Sequence, residues 1–193
     1  MNMIRKKKSF IMIGKIKMHD QQVNFCKSVK NRFPSHFHKK RVLDIGSGDI
    51  NGTNNFLFTD CCIIRNDVLP GPNVDVACFA HDLPFVDNSF DTIISTECFE
   101  HDKFYDKTLK TIVRLLKPGG LFLFTCASTG REEHGTKRTS PTQSLTSNID
   151  ELSDYYKNLT EADIREVIDI DNIFHDYEFQ YVPGDLYFYG LKR

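Results

Sequence analysis

Five consecutive residues, Asp44-Ile45-Gly46-Ser47-Gly48, carry the densest chemical signal in this chain. The apolar run Arg41-Val42-Leu43 leads into them. The glycines therefore sit on a predicted strand-to-helix turn, the place where nucleotide-like ligands bind in open α/β sheets. Glycine there lets the backbone approach a ligand closely, although the same spacing serves an ordinary turn. Charge separates two ligand classes. A pyrophosphate would bring negative charge against Asp44, and Asn51 stands where GxGxxG needs its third glycine. A ligand with cationic groups suits Asp44 better, which counts against a nicotinamide-dependent oxidoreductase.

Other chemistry-bearing residues lie downstream. Asp67 closes a second apolar run and either caps a turn or accepts two hydroxyl hydrogen bonds. Glu97 follows a fourth run, and reads as an ion-pair partner or as part of a ligand pocket. His101 and His134 are the candidate catalytic bases, because a neutral imidazole is available near pH 7. The alternatives are a packed histidine at a helix start for His101 and plain loop surface for His134. Arg131, Tyr155 and Tyr156 are candidate substrate contacts, and Met18-His19-Asp20 is placed to fold back over a ligand. The six cysteines form no CxxC pair, so no metal centre is expected. Cys62, Cys78 and Cys126, in apolar runs, read as reduced core thiols of a cytoplasmic protein.

These positions need a scaffold. Arg41–Gly46, Cys61–Arg65, Val74–Phe79, Phe90–Ser95 and Leu121–Thr125 read as short strands, apolar on both faces. Thr53–Phe58 reads as a short helix. Residues 103–117 carry a helical stripe of Leu109, Ile112, Val113 and Leu116, stopped by Pro118-Gly119-Gly120. Strands of this kind alternating with helices predict a parallel sheet covered on both faces. Residues 128–150 are polar and long enough to be a functional lid. Thr160-Glu161-Ala162-Asp163 opens a helix with a capping box, and Asp176–Val182 with Leu186–Leu191 reads as an antiparallel hairpin at the sheet edge.

The chain has 193 residues, 40% hydrophobic and 26% charged, which suffices for one domain with a real core. No stretch of about 18 apolar residues marks a membrane span. A net charge of -1 hides an asymmetry: residues 1–41 carry twelve Lys or Arg against one acid. This basic arm, with a helix marked by Val23, Phe25, Cys26 and Val29 and stopped by Pro34, precedes a domain at 42–193. Such an arm is either solvated or a contact for nucleic acid or an anionic surface.

Val42-Leu43-Asp44-Ile45-Gly46-Ser47-Gly48 resembles the first motif of the class I (Rossmann-like) S-adenosylmethionine-dependent methyltransferases, type 11-like. The resemblance continues in order through Asn66-Asp67, His81-Asp82-Leu83-Pro84-Phe85, Thr96-Glu97-Cys98-Phe99-Glu100-His101 and Arg114-Leu115-Leu116-Lys117-Pro118-Gly119-Gly120. It covers about residues 42–126. It implies a three-layer sandwich around a mostly parallel seven-stranded sheet with an antiparallel strand at the edge. It also implies S-adenosyl-L-methionine as cofactor, held by Asp44, Gly46, Ser47, Gly48, Asp67, Val68, His81, Asp82, Leu83 and Glu97. Asp67 would take the ribose hydroxyls, and the 81–85 segment would contact adenine. Ile50 departs from the family's GxGxG, which either weakens cofactor binding or only reshapes the turn.

Methyl transfer from a sulfonium asks the protein mainly to align donor and acceptor. The Asn/Asp-Pro-Pro-Tyr/Phe motif and a Pro-Cys pair are both absent after the fourth strand, which counts against DNA base methylation. A small molecule, methylated on oxygen or nitrogen and closed in by residues 128–158, is the expected acceptor. The rivals are RNA or protein methylation using the basic arm, and a non-catalytic module that binds the cofactor only.

Overall fold

The computed structural model describes residues 19–193. The basic run Arg5–Lys8 and the apolar run Phe10–Ile13 lie outside the described residues. A seven-stranded sheet organises the rest. In chain order the elements are α1 (Asp20–Arg32), β1 (Arg41–Ile45), β2 (Cys62–Asp67), β3 (Val76–Ala77), β4 (Phe90–Thr96), α2 (Tyr105–Leu115), β5 (Leu116–Ala127), α3 (Glu161–Val167), α4 (Ile170–Ile173), β6 (Phe174–Val182) and β7 (Asp185–Lys192). The sheet order is β3-β2-β1-β4-β5-β7-β6. The first five strands run parallel, with Leu43 opposite both Ile64 and Ile93. β7 is antiparallel to β5 and to β6.

Alternation along the strands splits the core in two. Leu43, Ile45, Ile93, Phe122 and Phe124 face one side, where α2 and α3 supply Leu109, Ile112, Leu115 and Ile164. Val42, Ile94, Leu121 and Leu123 face the other, where α1 supplies Phe25, Cys26 and Val29, and the 3-10 turn Pro34–Phe37 supplies Phe37. This is the period-2 rule of a strand buried on both faces. Residues 20–37, read from charge as part of an arm, are thus built into the core. β1 starts at Arg41, whose amide donates to Asp91 Oδ2 at 2.9 Å.

Four sequence expectations need correction. Thr53–Phe58 is not an α-helix but holds a 3-10 turn at Asn54–Leu57. The polar Asn54 and Asn55 there bind Asp44 and Asn73 across the crossover instead of continuing a helix. The third strand shrinks to Val76–Ala77, because the Asn66 side chain donates to the carbonyls of Val76 and Cys78 and the chain then turns at Ala80–Asp82. Pro118-Gly119-Gly120 lies inside β5, where the pairing with β4 is irregular; α2 has already ended at Leu115. Cys62 is exposed and Cys78 only partly buried, whereas Cys126 is a core thiol; all six cysteines are free.

The predicted capping box is present. Thr160 Oγ1 accepts from the Asp163 amide, and Asp163 Oδ2 accepts from the Thr160 amide at 2.9 Å. The 128–158 segment has no α-helix or strand, only the 3-10 turns Pro141–Gln143 and Leu145–Asn148.

Candidate functional site

One cavity of about 450 Å³ opens at the carboxyl ends of β1, β2 and β4, within the size range of small-ligand sites. Its floor is the turn after β1. Gly46 and Ser47 both donate their amides to the Asn66 carbonyl, at 2.9 and 3.0 Å. Gly46 has φ +73°, and a Cβ there would lie 2.5 Å from the Cβ and Sγ of Cys98. Only glycine satisfies both the left-handed backbone and the close approach. Ser47 is locked to Asn73 by two hydrogen bonds, its hydroxyl to the Asn73 carbonyl and the Asn73 amide to its own carbonyl.

Two carboxylates edge this turn. Asp44 is buried, accepts from Asn54 Nδ2 at 3.0 Å, and has its pKa pushed up to about 7 by burial. Asp67 accepts the Gly48 amide at 2.9 Å and the Val68 amide at 2.7 Å, and burial raises its pKa too. Each Asp67 oxygen keeps a further lone pair for a ligand hydroxyl.

At the far side stand Glu97, Cys98 and His101 from the turn after β4. Glu97 holds φ +51° and leaves Oε1 buried without a partner. Burial, and then the charge of Asp185, raise its pKa. Glu100 is fully buried with no side-chain partner on either oxygen, only the backbone amides of Glu100 and Ala127 being near. Its Oε1 lies 3.9 Å from Nε2 of His101 and 3.9 Å from Nε2 of His134. Tyr156 packs against both imidazoles, at 5.6 and 5.1 Å between ring centres. Burial drops the His101 pKa to about 3, and burial also lowers that of His134.

The roof is the 128–158 segment, through Arg131, His134, Ser144 and Leu145 among others. Leu145 reaches the glycine turn itself: a Cβ on Gly48 would lie 3.0 Å from its Cδ1. Gly135, at φ +66°, lets the loop close on His101, where a Cβ would lie 2.6 Å from Cε1. Arg131 ties the roof to β7 through Asp185 at 3.2 Å and to His19 at 3.0 Å. His19 also lines the cavity.

Of the residues singled out from the sequence, Asp44, Gly46, Ser47, Gly48, Asp67, Val68, Glu97, His101 and His134 all line this one cavity. His81, Asp82 and Leu83 do not. Leu83 is in the core, His81 stacks on Phe79 at 5.4 Å, and Asp82 is exposed. The chain turns so that Phe79 and Ala80 face the cavity instead. Sequence reasoning missed Asn54, Leu145 and Glu100. Glu100 was visible only as the neighbour of His101, and nothing in the spacing joins it to His134.

Residues 63–124 match the family model described as a methyltransferase domain. No curated protein sequence matches the chain. Among solved structures, the chain is similar to phosphoethanolamine N-methyltransferase 2 of Haemonchus contortus in complex with phosphomonomethylethanolamine and S-adenosylhomocysteine. There the TM-score is 0.61 and the identity 20%, over 88% of this chain and 52% of that one. The chain thus spans about half the length of that enzyme. It is also similar to the 1,6-didemethyltoxoflavin-N1-methyltransferase of Burkholderia thailandensis, with TM-score 0.61 and 18% identity over 91% of this chain and 79% of that one. The resemblance read from the sequence is borne out: this chain has the class I, Rossmann-like methyltransferase fold, and its central strands carry the methyltransferase-domain match.

Proposed function

We propose that the chain is an S-adenosylmethionine-dependent methyltransferase of a small acceptor, acting on oxygen or nitrogen. The carrying observation is the roof: Leu145 touches the glycine turn and Gly135 touches His101, so the roof narrows the cavity of about 450 Å³ to the size range of small ligands. The similar solved enzymes named above hold small acceptors. In this reading Asp44 and Asp67 hold the donor, with Gly46, Ser47 and Gly48 giving it backbone contact and Val68 a side wall. Asp44 compensates the donor's cationic groups, and Asp67 takes ribose hydroxyls. Phe79 and Ala80 take the place at the adenine end that the family resemblance implies for His81, Asp82 and Leu83.

Glu97, His101 and His134 then face the acceptor. When bound, S-adenosylmethionine would supply an electrophilic methyl group on sulfur, and the proton of the acceptor's O–H or N–H would pass to solvent. A histidine with a pKa of about 3 is a poor proton acceptor. His101 therefore acts as a neutral hydrogen-bond acceptor that orients an O–H or N–H for in-line attack, and His134 shares that task.

Calorimetry with S-adenosylmethionine and S-adenosylhomocysteine tests the donor half. One-to-one binding is expected, and Asp67→Ala should weaken it by about 1–3 kcal/mol, the scale of a lost charged hydrogen bond. No heat with either compound overturns the reading. A labelled-methyl screen over small amines and alcohols then separates turnover from mere binding. The charge asymmetry supports a second reading, RNA as acceptor, with residues 1–41 supplying phosphate contacts. Salt-sensitive binding of labelled RNA by the full chain supports it, and no binding at low salt removes it.

A further inference from the structure

We propose that Glu100, His101 and His134 form a binding site for one first-row divalent transition-metal ion, with its open coordination positions facing the cavity. One ligand atom from each residue lies within 4.8 Å of the other two, and the Glu100 oxygen sits 3.9 Å from both Nε2 atoms. Atoms sharing one ion at about 2.1 Å lie roughly 3.4 Å apart in a tetrahedral set. The two Glu100–histidine pairs therefore need to contract by about half an ångström, and no pair by more than about 1.4 Å, to reach bonding range.

Two independent features point to an ion. The Glu100 carboxylate is fully buried and no side chain donates to it; only the backbone amides of Glu100 and Ala127 approach it, a costly arrangement that folded proteins avoid. Next, the His134 tautomer is set. Its Nδ1 lies 3.1 Å from the Glu132 carbonyl, which can only accept, so Nδ1 carries the hydrogen and Nε2 turns a lone pair toward Glu100. That is how a metal-ligating histidine is commonly oriented by a carbonyl behind it.

The donor set indicates which ion. Two imidazoles and one carboxylate suit zinc, cobalt, iron or nickel, whereas magnesium and calcium prefer all-oxygen sets. The absence of CxxC pairs does not bear on such a site, since none of its ligands is a cysteine. His101 and His134 line the cavity with Glu100 behind them, so the remaining positions are available to an oxygen or nitrogen of a ligand in the acceptor half. That last point rests on the proposed methyl-transfer reading; the ion site itself does not. The competing arrangement is a shared proton among the same three groups.

Tag-free, chelator-treated full-length protein, titrated with Zn²⁺ by calorimetry and with Co²⁺ by visible absorption, decides between them. The expected result is one tight site, a cobalt spectrum that Zn²⁺ bleaches, and a raised melting temperature with metal. Glu100→Gln keeps the buried shape, and His134→Asn changes only a partly exposed roof residue. Each should weaken the site by about 100-fold or more while the apo fold, followed by circular dichroism, is kept. Binding that is absent, or equal in wild type and both folded variants, overturns the proposal. Titrating S-adenosylhomocysteine into the same samples keeps the two readings apart. Metal bound without it leaves the ion site standing and sinks the donor reading; the converse does the opposite.

Discussion

Asp44 shows how one side chain can be costly for the fold and useful to the site. Burial lifts its pKa to about 7, opposed by the Asn54 hydrogen bond and the Arg65 charge and reinforced by Asp67. Its folded pKa is above the ordinary 3.8, so the penalty is absent at low pH and grows as pH rises through that window. At ~1.36 kcal/mol per pKa unit, Asp44→Asn should stabilise the apo protein by about 2–4 kcal/mol at pH 8 in urea unfolding, and by little at pH 4. The same change should weaken S-adenosylmethionine binding. In the wild type, affinity for that cation should fall as pH drops from 8 to 6, and the asparagine variant should lose this dependence. A variant no more stable at pH 8 than the wild type would deny the strain. At this scale the sequence was informative wherever chemistry and chain order coincide. Asp44, Gly46, Gly48 and Asp67 could be read because a glycine turn must follow a strand and an acid must close the next one. Glu100 with His134 could not, since 34 positions separate them and only the folded roof joins them.

Elements were legible where their hydrophobic period was strong. The stripe of α2 and the two-sided apolar strands gave their own positions within a few residues. The Asn54–Leu57 turn and β3 failed because side-chain amides there capture backbone and carboxylate partners across the sheet, a tertiary effect that no local pattern carries. The start of α3 is the opposite case, with a capping box readable from four residues. Thr160→Ala should cost about 1 kcal/mol. Burial alone would raise the Asp163 pKa, yet hydrogen bonds from Lys157 and Thr160 hold it below the ordinary 3.8. With the folded value depressed, the contribution is present above that pH and is lost as pH falls toward the folded value. The difference between wild type and Asp163→Asn in thermal unfolding should therefore shrink below about pH 4; a constant difference from pH 7 to 3 would remove the electrostatic part.

For the whole molecule, charge misled where packing decides. The basic first 41 residues look like an appendage, yet Phe25, Cys26, Val29 and Phe37 fill one of the two cores. Deleting residues 1–41 exposes that face, and the truncated chain should show no cooperative thermal transition. A sharp, wild-type-like transition would prove the segment separable. Among the described residues no helix is long and apolar enough to cross a membrane.

The crossover from β1 to β2 contains no full helix, and β2 is only partly buried along its length. The sheet is consequently armoured at β5 and thin at β2–β3, so thermal opening should begin at the thin end. Amide exchange should run faster in β2 and β3 than in β5. Because Asp67 ends β2, any ligand it grips is held by a part of the protein that opens readily. Occupancy would then suppress that opening in proportion to ligand concentration over its dissociation constant, so exchange at Asn66 and Asp67 would report binding before any chemistry is known.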